Sequence, residues 1–197
     1  MLLEYLDTSW APNVNDEADV VRAARTVVET IAKLPQGLPC YLDIGSEQRW
    51  AEEVDHTLIG LSGLIADGRF ARCGPDDLAF LARWSSRADL IEAIEGSPRL
   101  VNGDIKFGQV FDKNGHLCLV DWQVPVVGPA DLDFVMLLED QGVDPRPHAS
   151  AAVVELRWYL LLRWAVHSKL ELIPSMPTLF ENWTLDALER MRTTDTS

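Results

Sequence analysis

The sequence predicts an α+β fold that is predominantly α-helical. Three observations carry this reading. Apolar residues recur at the 3.6-residue period over most of the chain. The breaker Gly96-Ser97-Pro98 ends that pattern near the middle, and the chain changes character there. One Asn-Gly pair, Asn114-Gly115, then separates two short β-rich runs.

The elements follow in order. Leu2 to Leu6 is a short apolar run that reads as a strand end, and Asp7 to Asn13, with Pro12, reads as a loop. A first helix is expected from about Asn15 to Leu34, because Val20, Val21, Ala24, Val27, Val28, Ile31 and Leu34 recur at the helical period and Asn15 suits a cap. A second is expected from Ser46 to about Ala66, with Trp50, Val54, Leu58, Leu61 and Ile65 as its stripe. A third is expected after Pro75, running through Leu81, Trp84, Ala88 and Ile94 as far as the Gly96 breaker. Val110–Phe111 and Leu117–Val120 read as one small hairpin across Asn114-Gly115. Helical periodicity returns after Pro129. A helix from about His148 to Lys169 is apolar nearly all round, which marks it as buried, and Thr178 to Arg192 is amphipathic.

Composition narrows the function. The 197 residues read as a single domain, 1–197. Acidic residues outnumber basic ones 31 to 17, a net charge of -14, which excludes general nucleic-acid binding and disfavours an anionic membrane surface. The most apolar stretch, Trp158 to Val166, is interrupted by Arg163 and is far short of the roughly 20 residues a span needs. MLLEYLD has no basic region and meets Glu4 at once, so no signal peptide is expected. Cys40, Cys73 and Cys118 fit neither a disulfide framework nor a zinc site, and buried thiols in a cytoplasmic protein are expected.

Chemistry concentrates around the hairpin. Asn102-Gly103-Asp104 forms a loop, Lys106 and Gln109 follow, and Asp121 ends the second hairpin strand before Trp122. Each feature alone suits a turn or a strand end. Together, the hairpin brings two carboxylates to one end of a small sheet, which suits divalent-metal binding and proton abstraction.

The stretch LVNGDIKFGQVFDKNGHLCLVDW resembles the catalytic loop, hairpin and metal-binding turn of the aminoglycoside phosphotransferase and choline kinase family, small-molecule kinases of the protein-kinase-like fold. GPADLDFV resembles the family's next segment, with Asp133 at its helix-start aspartate, and MLLEYLD resembles the hinge strand between the two kinase lobes. The resemblance implies the C-terminal lobe of such a fold, with residues 1–7 as hinge-like segment and 99–122 as catalytic loop and hairpin. It implies Asp104 as acceptor of the substrate hydroxyl proton, Asn102 in the catalytic loop and Lys106 steadying the transferred phosphoryl group. It also implies Gln109 and Asp121 as Mg²⁺ ligands, and Glu4, Tyr5 and Leu6 at the ATP-binding hinge. Two like charges about 4 Å apart cost on the order of 4 kcal/mol at an effective dielectric near 20, so ATP facing Asp104 and Asp121 requires the cation.

The match departs from the family in three places. Asn102 stands where the family has His. Gln109 replaces Asn and is one methylene longer, and a displacement of about 1 Å can cost about 10²-fold in rate. No G-x-G-x-x-G is present, and of Lys33, Lys106, Lys113 and Lys169 none sits on a strand before the hinge, so the N-terminal lobe is expected to be absent from this chain.

Two functions follow as expectations. One is an ATP-dependent phosphotransferase acting on a small-molecule hydroxyl. The other is a non-catalytic kinase-like module that binds a small molecule or a protein. A metal-dependent hydrolase built on the two aspartates lacks further ligands at useful spacing. Glu47, Glu52, Glu53 and Asp55 on the second helix would suit a cationic substrate, although such a run also suits a solvated face. Trp50, Trp84, Trp158 and Trp164 sit at core spacing, and Trp10 follows the hinge-like segment. The apolar edge Leu2–Leu6 is expected to promote self-association.

Overall fold

The computed structural model describes residues 12–13, 15–35, 37–176 and 178–194. The hinge-like segment with Glu4, Tyr5 and Leu6, and Trp10 after it, lie outside the described residues. In chain order the first elements are α1 (Glu17–Ile31), β1 (Leu42–Asp43), α2 (Glu47–Ala66), α3 (Pro75–Trp84), α4 (Ala88–Gly96) and β2 (Pro98–Val101). There follow β3 (Val110–Lys113), β4 (His116–Leu119), β5 (Val126–Pro129), α5 (Leu132–Asp140), α6 (Ala151–His167) and α7 (Leu179–Thr194). The fold is α+β and mainly helical, as expected. None of the described helices is long and apolar enough to cross a membrane.

The elements group into two compact units. The first takes the chain up to Asp43 together with Ser97–Ala149, and the second takes Ile44–Gly96 with Ser150 onward.

In the first unit α1 packs its apolar stripe against α5. Val20, Ala24, Val27 and Ile31 meet Phe134, Leu137 and Leu138 in one buried cluster. The cap of α1 is Asp16, not the expected Asn15: its carboxylate accepts from the N–H groups of Ala18 (3.0 Å) and Asp19 (3.3 Å). The helix also stops earlier than expected, at Ile31. Beyond it the backbone tightens to i→i−3 bonds, from Lys33 N to Thr30 O and from Leu34 N to Ile31 O.

The hairpin forms where expected. Val110 pairs with Leu119 and Lys113 with His116, around Asn114 (φ 56°) and Gly115 (φ 80°). Left-handed dihedrals at both central residues define the type I′ turn that matches strand twist. The hairpin is accompanied by a second sheet that the sequence reading lacked. This sheet has the order β1-β5-β2, with β1 parallel and β2 antiparallel to β5. One small β element is therefore two.

In the second unit α2 starts at Glu47 behind the Ser46 cap, as expected. The single helix expected after Pro75 is two. It breaks at Ser85-Ser86, whose hydroxyls donate back to Ala82 O (3.2 Å) and Arg83 O (2.9 Å) and compete with the helical ladder. Trp50, Trp84 and Tyr159 form an aromatic core, with ring centroids 4.8 to 5.8 Å apart. Buried Glu155 accepts from the Trp84 indole N–H (2.6 Å) and from Arg87 (2.8 Å) beneath it. Trp164 packs on Phe180 and Trp183, while Trp158 lies under Arg190. The helix α6 is buried nearly all round and runs on into a π-helical turn, Ser168–Leu172. Of the three thiols only Cys73 is buried, because Cys40 is exposed and Cys118 is half-covered on the hairpin.

Candidate functional site

The loop that leaves β2 carries the chemistry of the first unit, and α5 is its backboard. Along the loop, exposure alternates: Ile105 and Phe107 are buried in the core, while Asp104 and Lys106 between them are exposed. Burying the two apolar residues fixes the loop and leaves its charged side chains in water.

Two aspartates on α5 hold this loop from below. Asp133 is fully buried and accepts from the N–H groups of Asn102 (2.7 Å) and Gly103 (3.0 Å). Asp140 accepts from the N–H of Phe107 (3.0 Å). Asp133 and Asp140 are seven residues apart, about two turns, so they lie on one helix face. Burial pushes the Asp133 carboxyl up to about 6, against the lowering effect of the two N–H bonds. The charge thus sits where it orders a backbone.

Gly103 is required by the geometry. Its φ is +82°, and a Cβ at this position would stand 2.5 Å from the Val124 carbonyl oxygen and 2.9 Å from Val126. Neither the dihedral nor the space admits a side chain.

Asn102 is buried, and its carboxamide uses both ends. Nδ2 donates to the Asp121 carbonyl (3.1 Å), and Oδ1 accepts from the Asp104 N–H (3.1 Å). One side chain therefore ties together the backbones that carry the two exposed carboxylates. This gives Asn102 a role that suits a carboxamide, with its donor and acceptor side by side.

Asp121 itself has φ +65°, a left-handed backbone that Asp adopts more readily than most residues. Its carboxylate accepts from Gln109 Nε2 (3.0 Å), while Gln109 Oε1 accepts from the Lys106 N–H (2.7 Å). Gln109 closes the single 3₁₀ turn Phe107–Gln109 in this way, reaching back to the residue that precedes the turn.

The expected site residues Asn102, Asp104, Lys106, Gln109 and Asp121 thus belong to one connected set. The donor set does not fit the expected Mg²⁺ site. In this arrangement Gln109 turns its NH₂ towards Asp121 and its oxygen towards Lys106, so the pair does not present two oxygens to one cation. Among the described residues no group of three His, Cys, Asp or Glu side chains could hold a metal ion. In the second unit, Glu53 is engaged by Arg163 (2.5 Å) and Thr57, and Glu52 by Gln48.

The residues whose roles as loop supports the sequence reading missed are Asp133 and Asp140, and of these Asp133 carries a signal. An acid flanked by Leu132, Phe134, Val135 and Met136 is the available signal, since a carboxylate in an apolar run must find buried donors.

No family model matches the chain, and no curated protein matches it. Among solved structures, the spectinomycin phosphotransferase APH(9)-Ia, in complex with ADP and spectinomycin, is similar with a TM-score of 0.42 and 12% identity. That alignment covers 99% of this chain and 70% of the other.

Proposed function

We propose that the chain is a phosphotransferase-type domain that transfers a phosphoryl group from ATP to a small-molecule hydroxyl, corresponding to the C-terminal lobe of a kinase-like fold. The observation that carries this reading is the exposed Asp104 on a loop clamped from below by buried Asp133 and braced sideways by Asn102. A rigid loop with one solvent-facing carboxylate suits general-base work, which depends on position first.

In this reading the Asp104 carboxylate accepts the substrate hydroxyl proton as that oxygen attacks the terminal phosphorus. The bond from phosphorus to the bridging oxygen breaks, and ADP leaves. The Lys106 ammonium, exposed two residues along, offsets charge on the transferred group. Mg²⁺ belongs to the reading as the expected counter-ion of the triphosphate; because Gln109 and Asp121 do not offer it a paired site, no step is assigned to it.

The test is ADP release from Mg-ATP with a panel of aminoglycosides, choline-like alcohols and sugars. Replacing Asp104 by Asn is expected to lower the rate by about 10²-fold or more. Unchanged activity in that variant removes Asp104 as the base. The orientation of the Gln109 amide favours the second reading, a non-catalytic module of the same fold. That reading expects saturable binding of a panel compound with no ADP released. Self-association through the Leu2–Leu6 edge is a further part of the proposal, and a monomer by light scattering at high concentration counts against it.

A further inference from the structure

We infer that Gln109 is a positioning residue, a neutral clamp that fixes the Asp121 carboxylate to the turn after the loop, and that it does not ligate a cation. The inference rests on the phosphotransfer reading only for the identity of the cation.

The orientation of the Gln109 amide is fixed by chemistry. Its two partners are the Lys106 backbone N–H, which only donates, and the Asp121 carboxylate, which only accepts when ionised. Turning the amide over would set NH₂ against N–H and oxygen against carboxylate, so both bonds would become repulsive. Only one placement of oxygen and nitrogen satisfies both neighbours.

The length of the side chain matters as well. Glutamine at the end of a 3₁₀ turn reaches back to the N–H of Lys106 while its other end touches Asp121, twelve residues further on. Asparagine, one methylene shorter, reaches less far from the same Cα. The added methylene gives the side chain the reach to span its two partners.

Asp121 is then held twice by carboxamides. Asn102 holds its carbonyl at 3.1 Å and Gln109 holds its carboxylate at 3.0 Å. Its backbone sits at φ +65°, so the residue has a conformational reason to relax unless both contacts persist. For a cation this leaves the remaining Asp121 oxygen, with water and phosphate oxygens supplying the rest of the shell.

The experiment uses the full chain and Mn²⁺ alone, followed by electron paramagnetic resonance of the free ion, together with amide hydrogen exchange. Gln109→Ala is expected to leave the Mn²⁺ dissociation constant within about twofold or to tighten it, whereas Asp121→Asn weakens it at least tenfold. In the same Gln109→Ala protein the Lys106 amide should exchange at least tenfold faster. A tenfold or greater loss of Mn²⁺ affinity in Gln109→Ala overturns the inference, as does an unchanged Lys106 exchange rate. Absence of Mn²⁺ binding to the unaltered protein defeats the cation part of the phosphotransfer reading, while the exchange measurement still decides the clamp.

Discussion

Among the described residues, each compact unit buries one carboxylate completely, and the two are used in opposite ways. Glu155 in the second unit lies beside a guanidinium: Arg87 and the Trp84 indole donate to it, and Arg87 also pairs with Asp89 at 2.6 Å. Asp133 in the first unit accepts from two backbone N–H groups of a surface loop. Glu155 holds helices together through a neutralised pair. Asp133 carries its charge into the interior to shape one turn of backbone. The contrast teaches that burial of charge is not one phenomenon. Beside a cation it cements packing, and beneath a loop it sets the geometry of what the loop displays.

The sharpest way to break this contrast is to remove the cation. Arg87→Met leaves Glu155 buried beside the indole without its guanidinium, and losing one partner of a buried pair costs about 4 kcal/mol. Urea denaturation followed by tryptophan fluorescence checks this, and a loss under about 1 kcal/mol would mean that Arg87 does not neutralise Glu155.

A next step tests the space under the loop. Gly103→Ala meets the Val124 carbonyl and an unfavourable dihedral together. Overpacking and backbone strain should sum to about 3 kcal/mol. A crystal structure or exchange data showing an unmoved loop in a protein of unchanged stability would contradict the close approach.

The pH dependence separates the two carboxylates further. The Asp133 carboxyl is raised from 3.8 to about 6 by burial. The folded state therefore binds this proton more tightly than the unfolded one. The stabilisation is complete below about pH 3.8 and is lost as pH rises through about 6, a total of about 3 kcal/mol, of which roughly half falls above pH 5. The quantity to measure is the stability of the unaltered protein minus that of Asp133→Asn, at pH 5 and pH 7.5. The difference should be smaller at the higher pH, and a flat difference would place the Asp133 carboxyl in the ordinary range.

The smallest global effect is expected from Asp133→Asn at neutral pH. The lost N–H bond is offset by relief of the buried charge, so the net change should stay under about 1 kcal/mol. Locally the outcome differs, because an amide cannot accept from both backbone groups with both of its ends. Exchange of the Asn102 and Gly103 amides should accelerate by at least tenfold, with little change in α5.

What was legible in the sequence follows from where local chemistry decides structure. Asn114-Gly115 announces its own turn type, and the stripes of α1 and α2 announce their buried faces. Asn102, Asp104, Lys106, Gln109 and Asp121 were legible as a set, because they crowd around that hairpin. The sheet β1-β5-β2 was not. β1 has two residues, β5 ends on Pro129 opposite Pro98, and neither carries a periodic signal. The break between α3 and α4 hid behind a continuous apolar stripe, since the two serines that end the ladder do so through bonds to their own backbone. Asp133 and Asp140 were illegible as loop supports because each acts on a partner about thirty residues away.

The close approach at Gly103 also bears on how this chain can vary in length. The connection from Asp121 to Pro125 is the kind of segment in which relatives usually gain or lose residues. Here it is pinned near both ends, by Asn102 on the Asp121 carbonyl and by Gly103 under the Val124 carbonyl. An inserted residue would lift Val124 and release the loop beneath it. Length drift should therefore collect at the tip between Lys113 and His116, where Gly115 has open space around it, and the connection should keep its count.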